Sequence, residues 1–117
     1  MKILITDDEE PIRELIKYNV EKSGFETVCA ENAIQAVQFS RLEKPGLILL
    51  DLMLPDMSGL DVCRILKGDD STRSIPIIMV TAKTQESDNV TGLEHGADDF
   101  ITKPSSTKVL LVRIKSV

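Results

Sequence analysis

The chain has 117 residues, 14 lysines and arginines against 19 aspartates and glutamates, and a formal net charge of −5. That length fits one domain with one core, the 42% apolar content is ordinary for a globular protein, and the acidic balance without a basic stripe argues against nucleic-acid binding by this segment alone. No apolar run approaches the length that spans a bilayer and no basic-plus-apolar leader opens the chain, so a cytoplasmic location without membrane contact is expected.

The first strand-like run, Lys2-Ile3-Leu4-Ile5-Thr6, leads directly into Asp7-Asp8-Glu9-Glu10. A charge run is usually a solvated face, but one that follows a buried strand points to a site. Pro11 suits the first turn of a helix that places Ile12, Leu15, Ile16 and Val20 on one stripe and ends at Gly24. A short second strand covers Glu26 to Ala30. Asn32 caps the next helix, with Ala33, Ala36 and Val37 inward, and Pro45-Gly46 closes the connection. Gly46-Leu47-Ile48-Leu49-Leu50-Asp51 then reads as a strand buried on both faces. A loop from Leu52 to Ser58 follows it. Ser58-Gly59 opens a helix with Leu60, Cys63 and Leu66 at helical spacing. Pro76-Ile77-Ile78-Met79-Val80 is a fourth strand ending at Thr81. The helix expected between Glu86 and His95 is weak, because Asn89, Thr91 and Gly92 are poor helix formers. Asp99-Phe100-Ile101-Thr102 is a fifth strand leading into Lys103-Pro104, and Ser106 or Thr107 starts a last helix. Cys29 and Cys63 lack metal-ligand spacing and read as reduced packing residues.

Five alternations of strand and helix imply an α/β protein with a parallel sheet and helices on both faces. Short right-handed crossovers favour a flavodoxin-like (βα)5 three-layer sandwich of strand order 2-1-3-4-5. Strands one and three are neighbours in that order, so Asp7, Asp8 and Asp51 face one another at the carboxyl edge, where ligands bind in such sheets. Three close carboxylates repel, and a hard cation resolves the repulsion. Oxygen-only donors suit Mg²⁺. A carboxylate beside Mg²⁺ can attack phosphorus and form an aspartyl-phosphate. Thr81 and Lys103 are the hydroxyl and cation available to stabilise the transferring group.

With Asp7-Asp8, Asp51 followed by Leu52-Met53-Leu54-Pro55-Asp56-Met57-Ser58-Gly59, Thr81-Ala82 and Lys103-Pro104 at the ends of successive strands, the chain resembles the receiver domain of two-component response regulators. The resemblance covers essentially all of residues 1–117, and Gly92-Leu93-Glu94-His95-Gly96-Ala97-Asp98-Asp99-Phe100 looks like the OmpR/PhoB-type subgroup. It implies Asp51 as phosphoacceptor. It implies Asp8, Asp51 and the Met53 carbonyl as direct Mg²⁺ ligands, with Asp7 holding a metal-bound water. Thr81 resembles the switch hydroxyl, Phe100 the switch aromatic and Lys103 the cation that pairs with Asp51 and then with the phosphoryl group. Phe100 and Thr81 also fit ordinary strand residues, and His95 reads as a surface loop residue. The Lys103-Pro104 bond is expected to be cis. Met53 and Lys83, two residues beyond the phosphoacceptor and the switch hydroxyl, are expected to set the phosphoryl lifetime. Neither can orient an attacking water, which predicts slow hydrolysis. The implied partner is a histidine kinase. A homodimer on phosphorylation is expected through Val90, Leu93, Asp99, Leu111 and Arg113, with Asp98 and Lys115 as helpers. DNA would be bound only through a winged-helix domain that follows in the full-length protein.

The chain departs from the subgroup pattern in places. Ser105 stands where Phe is common, and Asn89 and Val109 replace a usual basic–acidic pair. Leu110, Ile114 and Val117 form the inward stripe of the last helix. Val109, Leu111 and Val112 are left with apolar surface outside it, which suggests a more apolar dimer face. Scattered exposed aliphatics would look the same. Three other classes compete. An Asp-nucleophile phosphatase would need a second Asp where Met53 stands. A flavin domain would need a phosphate cradle in place of the acidic first loop. A free-standing or phosphorylation-independent adaptor of the same fold would not require the acidic pair, Thr81 and Lys103.

Overall fold

The computed structural model describes residues 1–81, 98–102, 111–112 and 114–115, with backbone alone for 81 and 99–102. Strands β1 (Lys2–Thr6), β2 (Glu26–Ala30), β3 (Leu47–Asp51), β4 (Ile77–Thr81) and β5 (Asp99–Thr102) alternate with helices α1 (Glu10–Lys22), α2 (Ala33–Glu43) and α3 (Gly59–Lys67). They form one parallel sheet of order β2-β1-β3-β4-β5, as expected. Thr6 pairs with Leu50, Asp51 with Val80 and Thr81 with Thr102. That register aligns the carboxyl ends of four strands along one edge.

The strand pattern explains the three layers. Side chains alternate across a pleated sheet, so Leu4, Ile48, Leu50, Ile77 and Met79 face one side, with Ala33, Ala36, Val62, Cys63 and Leu66 of α2 and α3. Ile3, Ile5, Leu47, Leu49, Ile78 and Val80 face the other, with Val20 of α1 and Ile114. All five residues of β3 are buried, which is why that strand reads as an unbroken apolar run. The edge strand β2 is mixed, with Glu26 exposed and Ala30 buried.

Helix boundaries follow local chemistry. Pro lies in the first turn of α1, where its missing N–H costs nothing. Gly24, at φ 97°, takes the left-handed turn just beyond the Ser23 cap. Asn32 Oδ1 accepts from the Gln35 N–H at 2.8 Å, as the cap reading required. Ser58 Oγ caps α3 through the Leu60 N–H at 3.1 Å.

Two stripes are corrected. Leu15 of α1 is 61% exposed, whereas Arg13 is buried. At about 100° per residue, Ile12, Ile16, Val20 and Arg13 share one arc and Leu15 falls beyond its edge. In α3 the buried set is Gly59, Val62, Cys63 and Leu66, and Leu60 is only half-buried. Ile114 is buried as expected and Val112 exposed. Leu111, assigned to the outer face, is half-buried and packs on the Ile114 side of the core. The helix expected over 86–95, the start of the last helix at 106 or 107, the Lys103-Pro104 bond, Ser105, Leu110 and Val117 lie outside the described residues.

Gly59 marks the tightest backbone approach. A Cβ there would overlap the Asp51 carbonyl oxygen and sit 2.9 Å from the Leu52 Cα. Both obstacles are backbone, so neither can rotate away. Gly59→Ala is therefore expected to cost about 1–3 kcal/mol of stability, as overpacking does. Urea unfolding measures this, and an unchanged free energy would show that the loop yields freely.

Candidate functional site

The carboxyl edge gathers the acidic residues that the sequence placed at strand ends. Asp7 follows β1, and its N–H donates to the Ala30 carbonyl at 3.1 Å, extending the β1–β2 ladder by one residue. Its side chain is buried, and Oδ1 accepts from the Glu9 N–H at 3.0 Å. Asp51 ends β3, is also buried, and its Oδ1 accepts from the Met53 N–H at 3.1 Å. Asp8 is exposed at the mouth. One carboxylate oxygen from each of the three lies within 4.8 Å of the others.

The donor set fits a hard divalent cation. An octahedral Mg²⁺ with oxygens at about 2.1 Å places neighbouring ligand atoms about 3 Å apart and opposite ones about 4.2 Å apart. The three oxygens, within 4.8 Å of one another, lie on the scale of those separations. Among the described residues no sulfur or imidazole joins the cluster, and its all-oxygen donor set suits a hard cation.

Two features were not anticipated from sequence. Arg13 is buried, and its Nη1 donates to the Asp7 carbonyl at 2.8 Å, while Nη2 lies 3.8 Å from Glu31. The guanidinium thus braces the backbone that carries the acidic pair. Asp56, in the loop after β3, accepts from the Ala33 N–H at 2.8 Å and the Ile34 N–H at 3.0 Å. The Ala33 N–H, and more weakly that of Ile34, hold the Asp56 carboxyl below its ordinary value against the opposing effect of burial. Asp56 stands in a Pro-Asp turn, but its partners lie 22 and 23 residues upstream, so sequence alone gives only the turn.

The remaining candidates divide. Met53 has its side chain 60% exposed, and its backbone bridges antiparallel to Ser58. Thr81 ends β4, paired with Thr102 of β5, and Asp99 and Phe100 lie in β5 opposite Ile78 and Met79. The side chains of Thr81, Asp99 and Phe100 lie outside the described residues, as do Lys83, Val90, Leu93, Lys103 and Arg113 entirely. Asp98 is committed within the chain. Its Oδ2 accepts from the Ile77 N–H at 2.8 Å and lies 3.6 Å from Lys67 Nζ, which competes with the helper role expected at a dimer face. Both cysteines are free. Burial pushes the Cys63 thiol up to about 11, as for a packing residue.

A doubly wound sheet of order β2-β1-β3-β4-β5, with a buried carboxylate at the switch between β1 and β3, defines a flavodoxin-like α/β domain with an acidic carboxyl edge. A model of the response regulator receiver domain matches residues 3–115, and the chain belongs to that family. It is 53% identical to the phosphate regulon transcriptional regulatory protein PhoB of Pseudomonas aeruginosa over 98% of this chain and 50% of that protein. Identity to PhoB of Klebsiella pneumoniae is 50%, over 99% of this chain and 51% of that protein. The chain therefore spans about half the length of the curated relatives it matches. Among solved structures, the receiver domain of a signal transduction histidine kinase from Syntrophus aciditrophicus superposes with TM-score 0.90 at 41% identity, covering 98% of this chain and 87% of that one. The BeF3-activated N-terminal receiver domain of Klebsiella pneumoniae RstA gives 0.92 at 32% identity, covering 99% and 97%. Among the described residues no helix is long and apolar enough to cross a membrane.

Asp8 is the exposed member of the cluster, so its charge is set against the other two carboxylates. Asp8→Asn is expected to raise the metal-free stability at pH 7 by about 1 kcal/mol at low ionic strength. The gain should shrink as salt rises. Urea unfolding in a chelator at two salt concentrations reads it, and a loss of stability would mean that Asp8 holds the edge together.

Proposed function

We propose that Asp51 is the phosphoacceptor of a phosphorylation switch driven by a histidine kinase. One observation carries this reading: Asp51 is buried at the end of β3 with Asp7 and Asp8 within 4.8 Å. Asp8, Asp51 and the Met53 carbonyl would hold Mg²⁺, with Asp7 binding through a water. When bound, that ion neutralises charge on the phosphoryl oxygens and on the attacking carboxylate. An Asp51 carboxylate oxygen attacks phosphorus in line. The P–O bond to it forms as the P–N bond of a phosphohistidine breaks, and the imidazole leaves with the electron pair. Burial favours the attack by stripping water from the nucleophile, and the Met53 N–H orients the carboxylate through Oδ1.

The new phosphoryl oxygens are strong acceptors. Lys103 and the Thr81 hydroxyl are the proposed donors, and Phe100 the ring that follows Thr81 inward. The surface formed by the helix expected over 86–95, the last strand and the last helix is proposed to change as a population shift. The output is proposed to be dimerisation through Val90, Leu93, Asp99, Leu111 and Arg113, in support of which Val112 offers exposed apolar surface nearby. Transcription control would follow through a winged-helix DNA-binding domain beyond residue 117. That is supported by PhoB relatives twice this length that are named transcriptional regulatory proteins. The domain is proposed to catalyse only its own Mg²⁺-dependent phosphorylation and slow hydrolysis, in the cytoplasm.

Intact mass after incubation with a small acyl-phosphate donor tests the chemistry. One phosphoryl adduct is expected, dependent on Mg²⁺ and absent from Asp51→Asn. An adduct that persists in the variant would sink the assignment. A folded protein that takes up Mg²⁺ but no phosphoryl group would favour an adaptor of receiver fold. For lifetime, Met53→Asn should shorten the adduct's half-life several-fold, because an amide can orient the attacking water and a thioether cannot. An unchanged half-life would remove Met53 from that role.

A further inference from the structure

The loop 52–58 joins Asp51 to α3 and carries Met53. Its internal ties are local. The Gly59 N–H donates to the Leu52 carbonyl at 2.7 Å, Met53 bridges to Ser58, and Ser58 caps α3. Leu52, Leu54 and Met57 rest on the apolar core. Apolar contacts are non-directional and do not by themselves fix where the backbone of residue 53 sits. Among the described residues, the polar tie from this loop to a different element is made by Asp56, to the Ala33 and Ile34 N–H groups.

That tie closes a ring around the acidic cluster. The Asp7 N–H is bonded to Ala30 at the end of β2. Three residues later α2 begins, and its first two N–H groups hold Asp56. Asp56 returns through the loop to Met53, whose N–H holds Asp51. The ring joins the backbone at Asp7 to the Asp51 carboxylate at the end of β3.

Asn32 and Asp56 divide the start of α2 between them. Asn32 takes the Gln35 N–H from within the helix's own cap, and Asp56 takes the Ala33 and Ile34 N–H groups from outside. A carboxylate at a helix N-terminus gains from the helix dipole as well as from the two bonds. Asn32 satisfies one of the first N–H groups of α2 from within the helix's own cap, so the bonds from Asp56 complete the cap and at the same time tie a remote loop to α2. The placement of Asp56 makes sense as an anchor for the loop.

We propose that Asp56 is a positioning residue for the metal- and phosphoryl-binding edge: by clamping the 52–58 loop to the start of α2 it presets Met53 and Asp51 toward Asp7 and Asp8. This inference rests on the Mg²⁺ reading of the acidic cluster. Partners that orient a metal's ligands change affinity about 10–100-fold when removed. Asp56 acts on a backbone segment rather than on a ligand side chain, so the lower end is expected.

The test compares Asp56→Ala, Asp56→Asn and Asn32→Ala by calorimetric Mg²⁺ titration. It is accompanied by amide exchange of residues 53–57 and thermal unfolding in a chelator. Asp56→Ala should weaken Mg²⁺ binding about tenfold and speed exchange of the loop amides. Asp56→Asn keeps one acceptor oxygen and should fall between it and wild type, and it serves where the alanine variant fails to fold. Asn32→Ala should lower the unfolding temperature with Mg²⁺ affinity unchanged, because that side chain caps α2 without touching the loop. Equal losses of affinity in Asn32→Ala and Asp56→Ala would overturn the proposal, leaving only general stability of α2. Wild-type loop exchange in Asp56→Ala would overturn it independently of any metal. Wild-type protein that binds no Mg²⁺, with loop exchange still faster in Asp56→Ala, would overturn the metal reading and the function assigned to the clamp while leaving the clamp itself.

Discussion

Withdrawing a carboxylate from water is costly, and this protein does it twice at neighbouring strand ends. Asp7 and Asp51 are almost wholly buried and approach within 4.8 Å of each other and of Asp8. Like charges at that distance oppose folding unless dipoles or cations offset them. Much of the edge is arranged around that opposition. The Glu9 and Met53 N–H groups each turn back onto the carboxylate two residues earlier, Asp7 and Asp51. Arg13 spends a buried guanidinium on the Asp7 carbonyl. Such an edge keeps free energy in reserve, and a divalent ion or a reaction can draw on it.

The sheet makes that arrangement possible. In a parallel sheet with both faces covered, side chains of central strands have nowhere polar to go except at the strand ends. All five residues of β3 are buried, including Asp51, and the register brings Thr6 beside Leu50 and Asp51 beside Val80. The polar groups that the interior cannot tolerate therefore collect along the carboxyl edge. Two apolar layers on opposite faces hold the strands in place, so inter-strand pairing sets the backbone spacing of the strand ends, and the loop after β3 is left to orient the Asp51 carboxylate through the Met53 N–H.

This division explains what was legible in the sequence. An unbroken run such as Leu47-Ile48-Leu49-Leu50 reports burial on both faces, and the residue that ends it must be Asp51, so strand order and acidic cluster follow from pattern and topology alone. Features that depend on exact helix rotation were less legible. Leu15 fits an apolar stripe by spacing, yet the arc set by Ile12, Ile16 and Val20 excludes it and admits Arg13 instead. A buried arginine on a packed face breaks the binary pattern, and its partners, the Asp7 carbonyl and the Glu31 carboxylate, account for it. Asp56 was illegible for a different reason. It appears in the sequence as one more acid in a turn, and its two donors are backbone groups, which every residue but proline carries.

Three carboxylates and a divalent cation leave about one negative charge at the edge. The proposed acyl phosphate would replace the Asp51 carboxylate by a phosphoryl group of roughly −2, so the edge would become more negative by about one unit. Asp7 and Asp8 can only oppose that gain, and Arg13 is held at the Asp7 carbonyl. Relief must come from elsewhere along the same edge. β4 and β5 end in register there, Thr81 against Thr102, and Lys103 is the next residue of the chain. A hydroxyl and a cation drawn toward the phosphoryl group from those strands would transmit one unit of local charge into the β4–β5 side of the domain. If Asp51 is the acceptor, as proposed, the two halves of the edge would have different tasks. β1 and β3, locked by their apolar neighbours, would hold it still, and the strand ends of β4 and β5 would carry the groups that answer when its charge changes.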